Sequence, residues 1–142
     1  IDPGLYRRII ELNLFGPLYA MQAVVPKMKA RGGGVIINIS SSVSKMAIPG
    51  IGAYASTKYA LNGLSLTARG ELAADNIRVV LFHPGQTATD FGKNALRAES
   101  MGNWRPGGNR PMPQPDSAEA VAHHILEAAR TEPAEMEMPA QG

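Results

Sequence analysis

The sequence predicts an α/β fold: a parallel sheet of about three strands with long helices packed on it. Three observations predict it. Val35-Ile36-Ile37-Asn38-Ile39 and Ile77-Arg78-Val79-Val80-Leu81-Phe82 are short apolar runs rich in β-branched residues, the pattern of strands covered on both faces. The segment between them, from Tyr54 to about Asp75, repeats apolar residues at helical spacing. A strand, a helix of that length and a second strand form one βαβ unit, expected to be right-handed.

The totals agree with a single domain spanning residues 1–142, long enough to bury about two-thirds of its unfolded surface. The chain is 44% hydrophobic and 18% charged, as ordinary α/β proteins are. A formal charge of +2, with no basic run longer than two residues, does not indicate a nucleic-acid partner. Cysteine is absent, which excludes disulfides and thiol chemistry and suits a reducing compartment; the expected location is cytoplasmic. Three histidines, two of them adjacent at His123 and His124, make no metal-ligand cluster. No uninterrupted apolar stretch approaches the roughly 20 residues of a membrane span, and no signal-peptide pattern opens the chain.

Taken in order, Asp2-Pro3 supplies an acidic N-cap and a proline at the first helical position. Ile9, Gly16, Ala20 and Ala23 then recur at helical spacing, with Ile10, Met21, Val24, Val25 and Met28 widening the face expected to be buried. Gly32-Gly33-Gly34 ends the helix, and Pro26 is the expected site of any kink. Asn13 lies on the apolar stripe, where its amide needs partners. The first strand runs into Ser40-Ser41-Ser42 and a loop with Pro49-Gly50. Serines there are common turn formers, but ligands of open α/β sheets bind outside the carboxyl ends of the strands.

The second helix carries Leu61, Leu64, Ala68 and Leu72 on its stripe, and Asn76 is its expected stop. The second strand breaks at Pro84-Gly85, and Gln86, Thr87, Thr89 and Asp90 lead into a short helix expected to reach about Ser100. Residues 91–115 then read as a lid over the substrate, with prolines at 106, 111, 113 and 115 and with Met101, Trp104 and Met112 as apolar anchors. Asp116-Ser117-Ala118-Glu119 is close to a capping box. The helix it starts is expected to pack through Ala120 or Val121, His124 or Ile125, and Ala128, leaving His123-His124 as a surface pair. Residues 134–139 alternate polar and apolar and are expected to add a last edge strand.

Tyr54-Ala-Ser-Thr-Lys58 carries the chemistry. A phenol and an ammonium four residues apart share one helix face. A nearby cation favours the phenolate, so Lys58 is expected to lower the Tyr54 pKa towards the range where it trades protons at neutral pH. An acid/base acting on an alcohol or a carbonyl needs that. The spacing also occurs on many solvated helices, so its weight comes from its companions.

Those companions are Asn13-Leu-Phe-Gly16 on a helix, Asn38-Ile-Ser-Ser41 leaving a strand, and Pro84-Gly85 ending the next strand. In this order and spacing the chain resembles the short-chain dehydrogenases/reductases, from its first helix to about residue 130. The resemblance implies the C-terminal half of a Rossmann-like, doubly wound parallel sheet. It implies an NAD- or NADP-dependent oxidoreductase that interconverts a small alcohol and a ketone. Tyr54 would be the acid/base, Ser41 the hydroxyl that holds the reacting oxygen, and Lys58 the residue that tunes Tyr54 and bonds the nicotinamide ribose. Asn13 would anchor a water linking that lysine to solvent. Pro84, Gly85, Thr87 and Thr89 would contact the nicotinamide end, Thr87 through backbone and Thr89 through its hydroxyl. It further implies a homo-oligomer, with Leu5, Leu12, Leu64 and Leu72 as candidate interface residues.

The chain departs from the family at one point. The strand, glycine-rich turn and helix that seat a dinucleotide pyrophosphate are not found, since Gly32-Gly33-Gly34 precedes a strand instead of following one. With Ile1 as first residue, this leads to the expectation of a C-terminal catalytic portion that binds cofactor poorly alone. An epimerase or dehydratase of the extended family, and a non-catalytic binding or dimerisation fragment, are the alternatives. The substrate's identity is not legible.

Overall fold

The computed structural model describes residues 1–91 and 114–139. The helix expected to reach Ser100, the anchors Met101, Trp104 and Met112, and most of the 91–115 lid lie outside the described residues. Helices α1 (Pro3–Ile10) and α2 (Gly16–Ala30) are joined through a π turn, Glu11–Phe15. Strand β1 (Gly34–Ile39) and a 3₁₀ turn, Ser42–Lys45, precede helix α3 (Gly52–Leu72), which continues into the 3₁₀ turn Ala73–Asp75. Strand β2 (Ile77–His83), helix α4 (Ala118–Thr131) and strand β3 (Glu135–Glu137) complete the described chain.

The three strands form one parallel sheet in the order β1-β2-β3, with Gly34 opposite Ile77, Ile39 opposite Phe82 and Met136 also opposite Phe82. Helix α3 packs on β2, and helices α2 and α4 pack on both β1 and β2. The α/β reading therefore holds, down to the last short edge strand. β2 is the centre of the core: Ile77, Val79, Val80, Leu81, Phe82 and His83 are all buried. β1 departs from the expectation of burial on both faces. Val35, Ile36 and Ile37 are half-buried and Ile39 is exposed, because among the described residues β1 has a strand on one side only.

The start and stop signals act as their chemistry requires. The Asp2 carboxylate accepts from the Leu5 N–H at 2.7 Å, and Asn76 takes the left-handed conformation that ends the α3 segment. Gly33, at φ +136°, lies against Asn76: a Cβ there would overlap the Asn76 carbonyl and sit 2.6 Å from its amide nitrogen. The cap of α4 is one residue later than expected. Ser117 accepts from the Ala120 N–H, while the backbone of Asp116 pairs with Gln86 and Ala88. Ala128 is the buried residue of α4; Val121, His124 and Ile125 are half-buried.

The first helix corrects two expectations. Gly16, Ala20, Ala23 and Val24 are exposed, and the buried residues are Ile9 and Met21. The π turn is the reason. Twelve residues separate Ile9 from Met21, which at 3.6 per turn leaves them about a third of a turn out of phase. A π turn absorbs about one extra residue and brings them back onto one face. The irregularity also sits beside Pro17, not Pro26, and α2 runs through Pro26 to Ala30. Pro17 has no N–H for the carbonyl of Asn13, so a regular helical turn cannot close there. Pro3–Ala30 is also the one described helix long and apolar enough to cross a membrane by length and composition. Glu11 and Asn13 interrupt its apolar runs, which is why no span is visible in the sequence. Its polar groups Tyr6 and Asn13 are bonded to Ser56 and Thr57 of α3.

Candidate active site

β1 and β2 are parallel, so both deliver their carboxyl ends to the same edge of the sheet. Ser40 and Ser41 leave β1 there, Pro84 and Gly85 leave β2, and the first turn of α3 carries Tyr54 beside them. The Ser42 N–H donates to the Pro84 carbonyl at 2.9 Å and the Ser40 N–H to the Phe82 carbonyl at 2.7 Å, so the two strand exits are tied together.

The Ser41 side chain is buried and lies beside the Tyr54 phenol, whose ionisation its hydroxyl favours. Its oxygen also accepts from the Val43 N–H at 3.3 Å, as the cap of the 3₁₀ turn. Ser40 takes a different course. Its hydroxyl donates to Asn62 Oδ1 at 2.6 Å and lies 3.3 Å from Ser44 Oγ, inside the protein. Of these two buried serines, Ser41 is the one whose hydroxyl acts on the phenol.

Lys58 lies one helical turn after Tyr54, with Nζ 5.8 Å from the centre of the Tyr54 ring. Its ammonium donates to the Ile39 carbonyl at 2.9 Å, at the end of β1. The electrostatics here differ from the sequence expectation. Burial pushes the Tyr54 phenol above its ordinary value, and the bond to Ser41 works against that. Burial also lowers the Lys58 ammonium. The charge of Lys58 is directed at a carbonyl rather than at the phenolic oxygen, so desolvation decides the direction for both groups.

Asn13 reaches the site from the π turn. Its amide donates to Thr57 Oγ1 at 3.1 Å, and the Thr57 hydroxyl donates to the Tyr54 carbonyl at 2.7 Å. Asn13 is thus linked to the backbone that carries Tyr54, not to Lys58 directly. Gly85 and Thr87 lie against the start of α4: Thr87 pairs with Asp116 in a parallel bridge, and Thr87 Oγ1 lies 3.5 Å from the Gly85 carbonyl. The Thr89 hydroxyl accepts from the Phe91 N–H at 3.3 Å. Phe91 is exposed, and its ring stands 6.1 Å from that of Tyr54 at an interplanar angle of 55°. The structure thus brings Ser41, Tyr54 and Lys58 together, sets Asn13 behind them, and puts Pro84–Thr89 at the neighbouring strand exit.

Several residues of this region carry no role in the sequence reading, although Asn38 stands in its Asn38-Ile-Ser-Ser41 motif. Ser44 Oγ donates to the Ser41 carbonyl at 2.6 Å and accepts from Asn62 Nδ2 at 3.0 Å. His83, fully buried at the end of β2, lies between Ser44 and Glu135. Asn38 Nδ2 donates to Ser65 Oγ at 2.8 Å, which ties β1 to α3. One signal was available: Asn38 and His83 are polar residues inside strand runs whose other members are mostly apolar. Asn62, four residues after Lys58, had no such mark.

The sequence model of the short chain dehydrogenases matches residues 1–100. Over 90 residues the chain is 42% identical to the 3alpha-hydroxysteroid dehydrogenase of Mediterraneibacter gnavus, covering 63% of this chain and 36% of that protein. Over 88 residues it is 43% identical to the trans-4-hydroxycyclohexanecarboxylate dehydrogenase of Sinomonas cyclohexanicum, covering 62% and 34%. Among solved structures, a short chain dehydrogenase from Burkholderia cenocepacia in complex with NADP superposes with a TM-score of 0.79 at 28% identity, covering 98% of this chain and 52% of that one. A 7 alpha-hydroxysteroid dehydrogenase complexed with NADH and 7-oxo glycochenodeoxycholic acid gives 0.77 at 27% identity, covering 96% and 55%. The chain thus spans about a third of these curated relatives and just over half of these solved chains. With the family match covering its first 100 residues and the same fold in both solved chains, this chain belongs to the short-chain dehydrogenase family.

Proposed function

We propose that this chain carries the proton-transfer site of an NAD- or NADP-dependent oxidoreductase that interconverts a small alcohol and its carbonyl compound. The observation that carries the reading is the meeting of the buried Ser41, Tyr54 and Lys58 at one strand exit, with Lys58 Nζ 5.8 Å from the centre of the Tyr54 ring and bonded to the Ile39 carbonyl. In the reducing direction the Tyr54 phenol gives its proton to the substrate oxygen; in the oxidising direction its phenolate takes the alcohol's proton. Ser41 donates its O–H to the reacting oxygen, a fixed dipole aimed at the charge that develops there.

When bound, the nicotinamide dinucleotide supplies or accepts the hydride. The donors at the strand exits fit its nicotinamide end: the Lys58 ammonium would hold a ribose hydroxyl, and Pro84, Gly85, Thr87 and Thr89 would flank the ring. Asn13 is assigned the family's role of anchoring a water that leads from Lys58 to solvent. The exposed Phe91 ring beside Tyr54 suits an apolar substrate body next to the reacting oxygen. We further propose that the complete protein is cytoplasmic and homo-oligomeric, with the exposed Leu12 and the half-buried Leu5, Leu64 and Leu72 as interface candidates, and that residues 91–115 cover the substrate.

The test uses the full-length protein that contains this chain, with NADH and NADPH and a panel of small ketones and alcohols. The expected result is nicotinamide oxidation or reduction in step with turnover. Tyr54→Phe should lose about 100-fold or more in rate while keeping dinucleotide binding. Substrate turnover without net change in the nicotinamide would overturn the reading in favour of an isomerase or dehydratase.

A further inference from the structure

A chain of polar groups, exposed at strand β3 and buried at His83 and Ser44, runs from the last strand to the serine loop. At one end, Lys45 of the 3₁₀ turn pairs with both β3 carboxylates, Glu137 at 2.5 Å and Glu135 at 3.2 Å. Glu135 also meets His83 Nε2 at 2.8 Å. A carboxylate only accepts, so that ring nitrogen carries its proton towards Glu135. The other ring nitrogen lies 3.3 Å from Ser44 Oγ and 3.4 Å from the Ser41 carbonyl. The Ser44 hydroxyl donates to that same carbonyl at 2.6 Å, and Asn62 donates to Ser44 Oγ at 3.0 Å. His83 and Ser44 are both 1% exposed. The Ser41 carbonyl is therefore held by a buried hydroxyl that accepts from an amide and packs against an imidazole braced from β3.

We propose that Ser44, His83 and Glu135 are positioning residues for Ser41: they transmit the placement of strand β3 to the hydroxyl that meets Tyr54. Ser41 sits at the N-cap of a four-residue 3₁₀ turn, where the extended backbone of the cap must give way to the turn. Fixing its carbonyl fixes the rotation of its peptide plane, and with it the direction in which the side chain leaves the backbone. Lys45 ties the far end of the same turn to β3, so the serine loop is gripped at both ends by a strand about 90 residues away in the chain. The inference rests on the reading of Ser41 and Tyr54 as the oxygen site.

Tyr54 reports the position of Ser41 without substrate or cofactor, because the buried Ser41 hydroxyl beside it favours its phenolate. The experiment is an ultraviolet titration of the full chain, isolating the Tyr54 signal as the difference from Tyr54→Phe. Lys58, the titratable neighbour on the same face, is common to all variants. Ser41→Ala should move the Tyr54 transition to higher pH. Glu135→Gln and Ser44→Ala should move it in the same direction by no more than that amount, and neither should move it further when combined with Ser41→Ala. Glu135 is part-exposed, so its substitution keeps the test open if His83→Gln fails to fold, as circular dichroism would reveal.

Two results overturn the proposal: a Tyr54 transition that Glu135→Gln and Ser44→Ala leave in place while Ser41→Ala moves it, or shifts that add fully to that of Ser41→Ala. A Tyr54 transition unmoved by Ser41→Ala itself would instead overturn the Ser41–Tyr54 contact, and the proposal with it.

Discussion

Ser41→Ala is the substitution from which the site can be judged most directly. Two influences set the Tyr54 phenol: burial, which raises it, and the Ser41 hydrogen bond, which lowers it. Removing the hydroxyl leaves burial unopposed. Alcohol oxidation needs the phenolate, so its rate should rise with pH up to the Tyr54 transition, and in Ser41→Ala that rise should be displaced to higher pH. Carbonyl reduction needs the phenol, which is the dominant form at neutral pH, so its pH profile should stay flat there. A hydrogen bond to a charged group contributes about 1.5–3 kcal/mol, and 1.36 kcal/mol is tenfold in rate. Oxidation at neutral pH should therefore fall by about 10- to 100-fold from the ionisation effect. Reduction should fall through loss of the oxygen's hydrogen bond alone. The assay is initial rate against pH in both directions for the full-length protein, parent and variant. An oxidation profile that drops without moving along the pH axis would refute the reasoning, since it would mean that Ser41 does not touch the ionisation of Tyr54.

Other predictions follow from the same geometry. Gly33→Ala should destabilise the chain by about 2 kcal/mol or more, since the new Cβ meets the Asn76 backbone at a φ of +136°; a urea titration with an unchanged midpoint would count against the close approach. The carboxyls of Glu132 and Glu137 are held low by their bonds to Arg78 and Lys45. Burial pushes Glu135 up, but its bonds to His83 and Lys45 outweigh this and leave it low. Because these folded-state values are depressed, the stability they contribute is present above the unfolded carboxylate range and is lost as pH falls through the folded values. Thermal melts should show that loss on the acid side, and it should be smaller in Glu132→Gln. Finally, fluorescence titration of these 142 residues with NADH and NADPH should show only weak binding, because no strand–glycine turn–helix is found to seat the pyrophosphate; micromolar affinity would overturn this.

Much of the architecture was legible because its signals are local. Asp2-Pro3, Asn76 and the β-branched run at 77–82 act through the conformational limits of their own backbone, and those limits do not depend on distant residues. The motifs Asn13, Ser41, Tyr54-x-x-x-Lys58 and Pro84-Gly85, which carried the family resemblance, were legible because they are fixed spacings along helix and strand. What failed was extrapolation of regularity. A 3.6-residue period drawn from Ile9 could not foresee that a π turn beside Pro17 would restore Met21 to its face and leave Ala20 and Ala23 outside.

The sequence alone determined which residues are proposed to exchange a proton with an alcohol and on which elements they lie. Only the tertiary structure decided how those groups are tuned. The Tyr54 phenol is raised rather than lowered, because burial outweighs its bond to Ser41, while the Lys58 ammonium donates to the Ile39 carbonyl. The structure alone also joined Ser41 to Glu135 through Ser44 and His83. The physical reason is common to both. Desolvation and hydrogen-bond partnership belong to the space around a side chain, and that space is filled by strands and helices far apart in the chain.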